Sequence, residues 1–356
     1  MNRIRAFKYT LPAILMILGC LSFTHSGWIV WSPLVFSWIL LPAAELLFPA
    51  DTHNLNAAEE EAARLDFVYD LLLYIFVVLQ WGALILFLLS FSWFPVSSGW
   101  DIAGRIGSMG MLCGVFGINV GHELGHRVNL PEQRLAQAAL LTSMYMHFFI
   151  EHNKGHHKNV ATPEDPSSAR YNEPVYLFYF RTISMAYASA WRIAQSDLKK
   201  QGLPFWSLNN QMLQFQLIQI LFLLALYFYF GAVILCYYLV AAIIGILLLE
   251  TVNYIEHYGL SRRSTAPGRY ERAMPEHSWN SNHVLGRFLL FELSRHSDHH
   301  YLASRKYQLL RHHDHSPQLP TGYPGSMLLA LIPPVWFRIM NQRIRQFQQH
   351  PDIQEK

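Results

Sequence analysis

Charge is scarce in this chain. Asp, Glu, Lys and Arg make up 14% of its 356 residues, against about 25% in ordinary soluble domains. Apolar residues make up 52%. That balance excludes a fully water-soluble protein and implies an integral membrane protein with polar cytosolic parts. Cysteine is scarcer still: Cys20, Cys113 and Cys236, each inside an apolar run. No Cys-x-x-Cys pair occurs, which excludes a thiolate zinc site, an iron–sulfur cluster and a disulfide framework. Any electrons the chemistry needs must come from another protein. The net charge of +3 gives no footprint for nucleic acid, and none is expected as a partner. Repeats and low-complexity tracts are absent.

A hydrocarbon core needs about 20 apolar residues per helix, and six segments qualify: 9–26, 29–48, 67–93, 102–121, 211–230 and 232–252. They read as three hairpins. Gly27 and Gly231 mark the turns of the first and third, and Phe94-Pro95-Val-Ser-Ser-Gly99 closes the second. The start (Arg3, Arg5, Lys8, then an apolar run from Tyr9) superficially resembles a signal peptide. A second span follows at once, with no small-x-small cleavage site, so the first helix is read as an anchor.

Lys and Arg are missing from the three hairpin turns. Three precede the first span, nine lie in 122–210 and thirteen follow 253. The positive-inside rule then puts both termini in the cytoplasm. Arg105 is the exception, expected to pair with Asp101, and Trp28, Trp31, Trp93 and Trp100 mark the opposite interface. The expected fold is an all-α membrane protein: six transmembrane helices in three hairpins, with a histidine-rich helical cap (122–210 and 253–356) in the cytoplasm, all one unit over 1–356. Loop 49–66, with Glu59, Glu60 and Glu61, is read as a helical linker with a solvated acidic face. Gln137–Ile150 is read as a helix of the cap. Met327–Met340, broken by Pro333-Pro334, is read as lying along the interface on Trp336 and Phe337.

Nine of the 18 histidines fall into four clusters, each next to an apolar segment: His122-Glu-Leu-Gly-His126, Glu151-His152-Asn-Lys-Gly-His156-His157, Glu256-His257-Tyr-Gly, and Arg295-His296-Ser-Asp-His299-His300. Histidine is the commonest protein metal ligand. His122 and His126, spaced i, i+4, share one helical face. His152 and His156 repeat that spacing, with His157 beside them and Gly155 leaving room for backbone or metal. His296, His299 and His300 repeat it again. Unliganded histidines at this density would repel once protonated. His257 alone is weak and gains weight because the sixth span delivers it to the same surface.

Nine imidazoles are too many for one zinc, which takes three protein ligands and a water in catalytic sites. Two metals with four or five imidazoles each keep positions open for a small ligand such as dioxygen. Imidazole suits Zn, Cu, Fe and Ni alike; the membrane setting and redox chemistry favour iron. Each cluster carries an acid, Glu123, Glu151, Glu256 or Asp298, as a candidate acceptor for an imidazole N–H or as an ion-pair partner of Arg127, Lys154 or Lys158. His277 and His283 bracket Ser-Trp-Asn280-Ser-Asn282, a polar stretch suited to covering the site. His312, His313 and His315 form a weaker cluster, and His147 reads as a satisfied helix residue. No role is read for His25 or His53.

His122-Glu-x-x-His126 also spells the zinc-peptidase motif. That alternative requires Glu123 as general base and tolerates loss of His299. A metal-storage or transport protein is a further alternative, for which the spans carry few polar groups.

These words, together with Val160-Ala-Thr-Pro-Glu-Asp-Pro166, Asn253-Tyr-Ile-Glu-His-Tyr-Gly259 and His277-Ser-Trp-Asn-Ser-Asn282, resemble the integral-membrane alkane 1-monooxygenases of the fatty acid desaturase/hydroxylase superfamily. The histidine clusters alone indicate the superfamily. The Asn253–Gly259 word narrows it to alkane hydroxylases and relatives acting on xylene or similar methyl groups. One departure is Leu293-Ser294-Arg295, where Gln often precedes the Arg. The resemblance implies a non-haem diiron site held by His122, His126, His152, His156, His157, His257, His296, His299 and His300. It implies O2 as co-substrate, hydroxylation of a terminal methyl of a medium- or long-chain n-alkane to a primary alcohol, and a bacterial inner-membrane location. It implies electrons from a rubredoxin reduced by an NAD(P)H-dependent rubredoxin reductase, both separate here because the paired Cys-x-x-Cys motifs are missing. Related enzymes acting on aryl methyls or acyl lipids stay open. The greasy substrate would enter from the bilayer through a channel walled by spans two to four and six, with Trp38, Phe87 and Phe116 as candidate lining or ordinary packing. A basic cytoplasmic surface suits an acidic electron carrier.

Overall fold

A computed structural model describes residues 5–349 apart from 95; Arg3 and Pro95, used above, lie outside the described residues. The architecture is helical, with a single two-stranded hairpin (Ser264–Ala266 with Arg269–Tyr270) among the described residues. Five helical segments are long and apolar enough to cross a membrane: α1 (Phe7–Thr24), α2 (Gly27–Leu47), α4 (Val68–Trp93), α5 (Gly99–Gly125) and α9 (Gln211–His257). α3 (Ala57–Leu65) lies between the second and third of them. The protein is therefore an integral membrane protein.

α9 has 47 residues but is not one rod. Gly231 sits at φ 78°, ψ 172°, a conformation that costs other residues dearly and glycine little. The rings of Phe222 and Tyr238 lie 5.8 Å apart, whereas 16 residues of straight helix would separate them by about 24 Å. The chain folds back at Gly231, where the composition marks a turn. Gly27 (φ 72°) turns the first hairpin, and Ser22 Oγ donates across it to the Val30 carbonyl at 2.7 Å. Asp101 accepts the Gly27 and Ser97 N–H groups at 2.8 Å each. Arg105 donates to the carbonyls of Ser90 (2.8 Å) and His25 (2.9 Å), so these two side chains tie the neighbouring turns together. Trp28, Trp93 and Trp100 are exposed at this end, as interfacial indoles are.

α5 is the most enclosed of the five segments. A Cβ built on Gly110 would sit 2.5 Å from Ile244, so glycine lets α5 and α9 touch closely. α5 widens into a π turn over Cys113–Asn119 before its last turn, Val120–Gly125, delivers the first histidines. Such turns recur at functional sites because they re-aim the side chains that follow.

The parts outside the spans depart from expectation in three places. α3 is capped by a reciprocal Asn56–Glu59 box, but its acidic face is not fully solvated: Glu60 is buried and bound by Arg64 and Arg311. Gln137–Ile150 is not one helix. α6 (Leu130–Leu141) stops, Met144 takes φ 55°, and α7 (Phe148–Glu151) starts afresh. α8 (Val175–Lys200) follows. After α9 come α10 (Val284–Leu289), α11 (His296–Tyr301), α12 (Tyr323–Ala330) and α13 (Pro333–Gln348). Met327–Met340 is broken at the prolines, as expected: α12 ends at Ala330, and Pro333-Pro334 begin α13, where a missing N–H costs nothing. Trp336 is fully buried against Tyr254 and Tyr258 (ring centroids 5.7 and 5.5 Å), and Phe337 stacks on Tyr258. Both belong to the cap's core rather than to an interface.

Candidate metal centre

The end of α5 carries His122 and His126, a π turn over His152–His156 carries the second cluster, the end of α9 carries His257, and α11 carries His296, His299 and His300. The fold brings all nine together and sorts them into two groups: His122, His126, His152, His157 and His299, and then His156, His257, His296 and His300. Within each, the candidate ligand atoms lie within 4.8 Å of one another.

The i, i+4 reading fails for the second cluster. His152 and His156 do not share a group; His152 joins His157, five residues on, their Nε2 atoms 3.0 Å apart. The π turn is the cause, since its repeat brings i and i+5 together rather than i and i+4. Gly155 has a different use from the one expected. A Cβ there would meet the Glu151 carboxylate at 2.5 Å, so glycine makes room for that acid.

In the first group the Nε2 atoms form a closed ring: His122–His299 3.0 Å, His299–His157 3.0 Å, His157–His152 3.0 Å, His152–His126 3.1 Å and His126–His122 3.2 Å. A ring nitrogen carrying a proton has no lone pair left to accept with. At most two of the five contacts can therefore be hydrogen bonds, and because a ring of five cannot alternate, at least one edge sets like against like, N–H against N–H or lone pair against lone pair. A shared cation removes that conflict. Edges near 3 Å are what imidazoles about 2.1 Å from one centre at right angles would give. In the second group His296 lies 3.1 Å from His257 and 2.9 Å from His300, Nε2 to Nε2. The His156 Nε2 is buried without a hydrogen-bond partner. The two groups meet where the His157 and His300 rings stack at 4.3 Å. These residues fit metal ions.

Burial holds His152, His157 and His300 well below the usual imidazole range, and His299 at about 3, so they are neutral and offer lone pairs. Burial also pulls His156 down, but Asp165 outweighs it and the net shift is upward. Asp165 Oδ2 lies 2.9 Å from His156 Nδ1. The carboxylate holds the proton on Nδ1 and leaves Nε2 for the group.

Asp165 was not picked out among the acids beside the clusters. It lies nine residues beyond His156, in a turn-rich stretch, held by the Ser167 N–H and the Ser168 hydroxyl. Its signal was the Pro-Glu-Asp-Pro-Ser-Ser composition, which marks a turn with an acid in it. Of the four expected acids, Glu256 alone reaches a clustered histidine among the described ion pairs: its Oε2 is 3.2 Å from His296 Nε2, while Tyr323 donates to its other oxygen at 2.8 Å. Glu123 accepts from Arg127 (2.8 Å) and the Tyr307 N–H (3.2 Å), the arrangement of an ion pair rather than of a free peptidase base. Asp298 accepts from Arg305, His313 and the Arg311 N–H. One Glu151 oxygen is buried without a hydrogen-bond partner. His147 is not the satisfied helix residue expected, since its Nε2 also lacks one.

The polar stretch 277–282 packs on the centre: Ser278 Oγ lies 3.4 Å from His257 Nδ1. Asn280 exchanges hydrogen bonds with Ser297, pinning α11. Arg295 donates to the carbonyls of Leu310 (2.7 Å) and His53 (2.8 Å). Asp165→Asn should cost about 10–100-fold in metal affinity, with loss from the His156 group first; metal content after graded chelator dialysis checks it.

Residues 98–329 match the fatty acid desaturase family. The chain is 45% identical to alkane 1-monooxygenase 2 of Pseudomonas aeruginosa over 251 residues, 70% of this chain and 67% of the relative. It is 38% identical to alkane 1-monooxygenase 1 of Alcanivorax borkumensis over 340 residues, 95% of this chain and 83% of that one. It is 27% identical to the xylene/toluene monooxygenase hydroxylase component of Pseudomonas putida over 336 residues, 94% and 87%. With two histidine groups at the cap end of apolar helices and this likeness over most of its length, the chain belongs to the fatty acid desaturase family and, within it, to the membrane alkane 1-monooxygenases.

Proposed function

We propose that this chain hydroxylates the terminal methyl of medium- or long-chain n-alkanes to primary alcohols, using O2 and two non-haem irons, one in each histidine group. The balance is one alkane, one O2, two electrons and two protons, giving one alcohol and one water. Bound iron would supply the reduction of O2 that leaves one oxygen atom for the C–H bond. The electrons come from a rubredoxin and its NAD(P)H-dependent reductase. The six apolar stretches, with α9 counted twice, cross a bacterial inner membrane as three hairpins. Both termini and the histidine-rich cap then face the cytoplasm, which the Lys/Arg asymmetry and the exposed indoles at the far end support.

The observation that carries the reading is an apolar cavity inside the bundle. Trp38 of α2, Met111 and Asn119 of α5, Val252 of α9, and Leu293 and Met327 of the cap line it. Three of these precede cluster histidines by a turn or so: Asn119 before His122, Val252 before His257, Leu293 before His296. The cavity lining thus ends a turn or so from the histidines, none of which lines the cavity itself. An alkane offers no polar handle, so it must be held by burial, about 0.8 kcal/mol per CH2, and this lining gives that while excluding water. No residue of α4, the third span, lines it among the described residues, contrary to the expected wall. Phe87 and Phe116 pack on Phe23 and Phe76 instead. The cavity volume is about 70 Å³, several times the roughly 10–15 Å³ that admits one water. An alkane enters as flexible walls such as Met111 and Met327 swing aside. Val252→Phe should cut octane turnover by about tenfold at unchanged metal content, the effect of overpacking by 1–3 kcal/mol.

The test uses purified protein in nanodiscs: bound iron and zinc are quantified, then octane, O2, rubredoxin, reductase and NADH are supplied and 1-octanol is sought by gas chromatography. Two irons with 1-octanol support the reading. Two irons without it move the substrate toward aryl methyls, the reading favoured by the xylene relative, or acyl lipids. One zinc and no iron sinks it.

A further inference from the structure

α8 is amphipathic in an unusual way. One side is held down: Tyr179 Oη lies 2.6 Å from Thr251 Oγ1, and Thr182 Oγ1 donates to Glu250 at 3.0 Å. The other side leaves large apolar groups bare. Tyr176 is 50% exposed, Leu177 62% and Phe180 79%, with Tyr187 two turns further on also exposed. At 100° per residue these side chains fall in one stripe. About a third of a turn around the helix lie the exposed cations Arg192 and Lys199. The stripe continues beyond α8. Tyr176 donates to the Leu331 carbonyl at 2.7 Å, beside the exposed Leu331, Ile332 and Val335, and the loop after α8 bares Trp206 and Leu208.

Between the stripe and α9 runs an apolar groove of about 600 Å³, walled by Tyr176, Tyr179, Phe180, Ile183 and Ser184 on one side and Leu247 on the other. Leu247 fixes its depth. In the six-span reading, on which this inference rests, α9 leaves the hydrocarbon near residue 252, so Leu247 lies about 7.5 Å inside. The outward side chains of α9 just deeper, Val240 and Ile243, are exposed and in that reading face lipid.

We propose that α8 is an interfacial helix. Its stripe is immersed in the cytoplasmic leaflet, the groove between it and α9 seats the acyl chain of a phospholipid, and Arg192 and Lys199, further along the helix, meet anionic headgroups of that leaflet. Three observations select lipid over a protein partner. The groove is continuous with the lipid-facing side of α9. Its depth matches the 5–10 Å to which such helices sink. The cations flank the apolar stripe, as on helices that lie in an anionic interface. The interfacial role expected for Trp336 and Phe337 is thus filled by α8.

The test is a depth measurement on the full chain in nanodiscs of phosphatidylethanolamine and phosphatidylglycerol. With Cys20 and Cys236 replaced by serine, a nitroxide is placed in turn on Phe180→Cys, Ser196→Cys and Ile243→Cys, and its relaxation by O2 is compared with that by a water-soluble nickel chelate. The proposal expects the oxygen-to-nickel ratio at 180 to lie between those at 243, which is deeper, and 196, and to exceed that at 196 several-fold. A ratio at 180 equal to that at 196 overturns it. So does shielding at 180 from both reagents, which would mean that another protein surface covers the stripe. If 243 itself reads as aqueous, the span assignment has failed, and that is distinguishable from failure of α8 alone.

Discussion

His299→Ala should give a folded chain that has lost the metal of the five-histidine group, keeps that of the four-histidine group, and forms no measurable alcohol. The geometry is specific. The His299 Nε2 closes the ring by touching both His122 and His157 at 3.0 Å; without it the ring opens at two edges. His300, next in sequence, belongs to the other group with His296 and His257, so His300→Ala should show the converse: first group filled, second empty. Turnover should fall by at least about a hundredfold in each, beyond what loss of an outer hydrogen-bond partner costs. Metal content and 1-octanol yield read the two effects separately. The zinc-peptidase alternative predicts the opposite pattern, with His299→Ala tolerated and Glu123→Gln inactive. Since Glu123 is held by Arg127 and the Tyr307 N–H, Glu123→Gln should instead weaken packing beside the centre. Equal metal loss from both groups in His299→Ala would sink the two-group division.

Much of this was legible because it rests on local chemistry. Gly27 and Gly231 turn the chain where composition places turns, since a positive φ and an interruption in an apolar run coincide there. The nine histidines were legible as a set because few structural reasons gather so many imidazoles beside lipid. How they divide was not, because it depends on backbone period. The i, i+4 rule assumes an α-helix, and a π turn at His152–His156 sends neighbours to different groups. Asp165 escaped because it reaches His156 from a turn, where spacing carries no directional rule. Trp336 and Glu60 misled for a related reason. An indole beside prolines and an acid in an acidic run look solvent- or interface-facing until distant partners, Tyr254 and Arg311, are placed against them. Pairing across 82 or 251 residues leaves no mark in a single sequence.

Glu292→Gln should destabilise the cap by about 3–5 kcal/mol, the cost of breaking a buried ion pair from one side. Glu292 is buried four residues before His296 and sits at φ 58°. It accepts from Arg287 Nε at 2.7 Å, Tyr9 Oη at 2.8 Å and Lys8 Nζ at 3.3 Å, joining the start of α1 to the segment that carries the last histidines. Burial alone would push its carboxyl up. Arg287, Lys8 and Arg295 outweigh burial and bring it from 4.5 to about 2. A depressed carboxyl contributes stability that is fully present above 4.5 and is lost as pH falls toward about 2. Wild-type protein should therefore lose cap stability in that acid window, and Glu292→Gln should already lack this contribution at neutral pH. Glutamine keeps the volume and one acceptor but leaves Arg287, itself 3% exposed, with the Asp51 carboxylate at 3.3 Å as its remaining counter-charge. Thermal unfolding in detergent from neutral to acid pH reads both effects. A variant that unfolds at the wild-type temperature at neutral pH would show that the cluster contributes no net stability, its desolvation having offset its attraction.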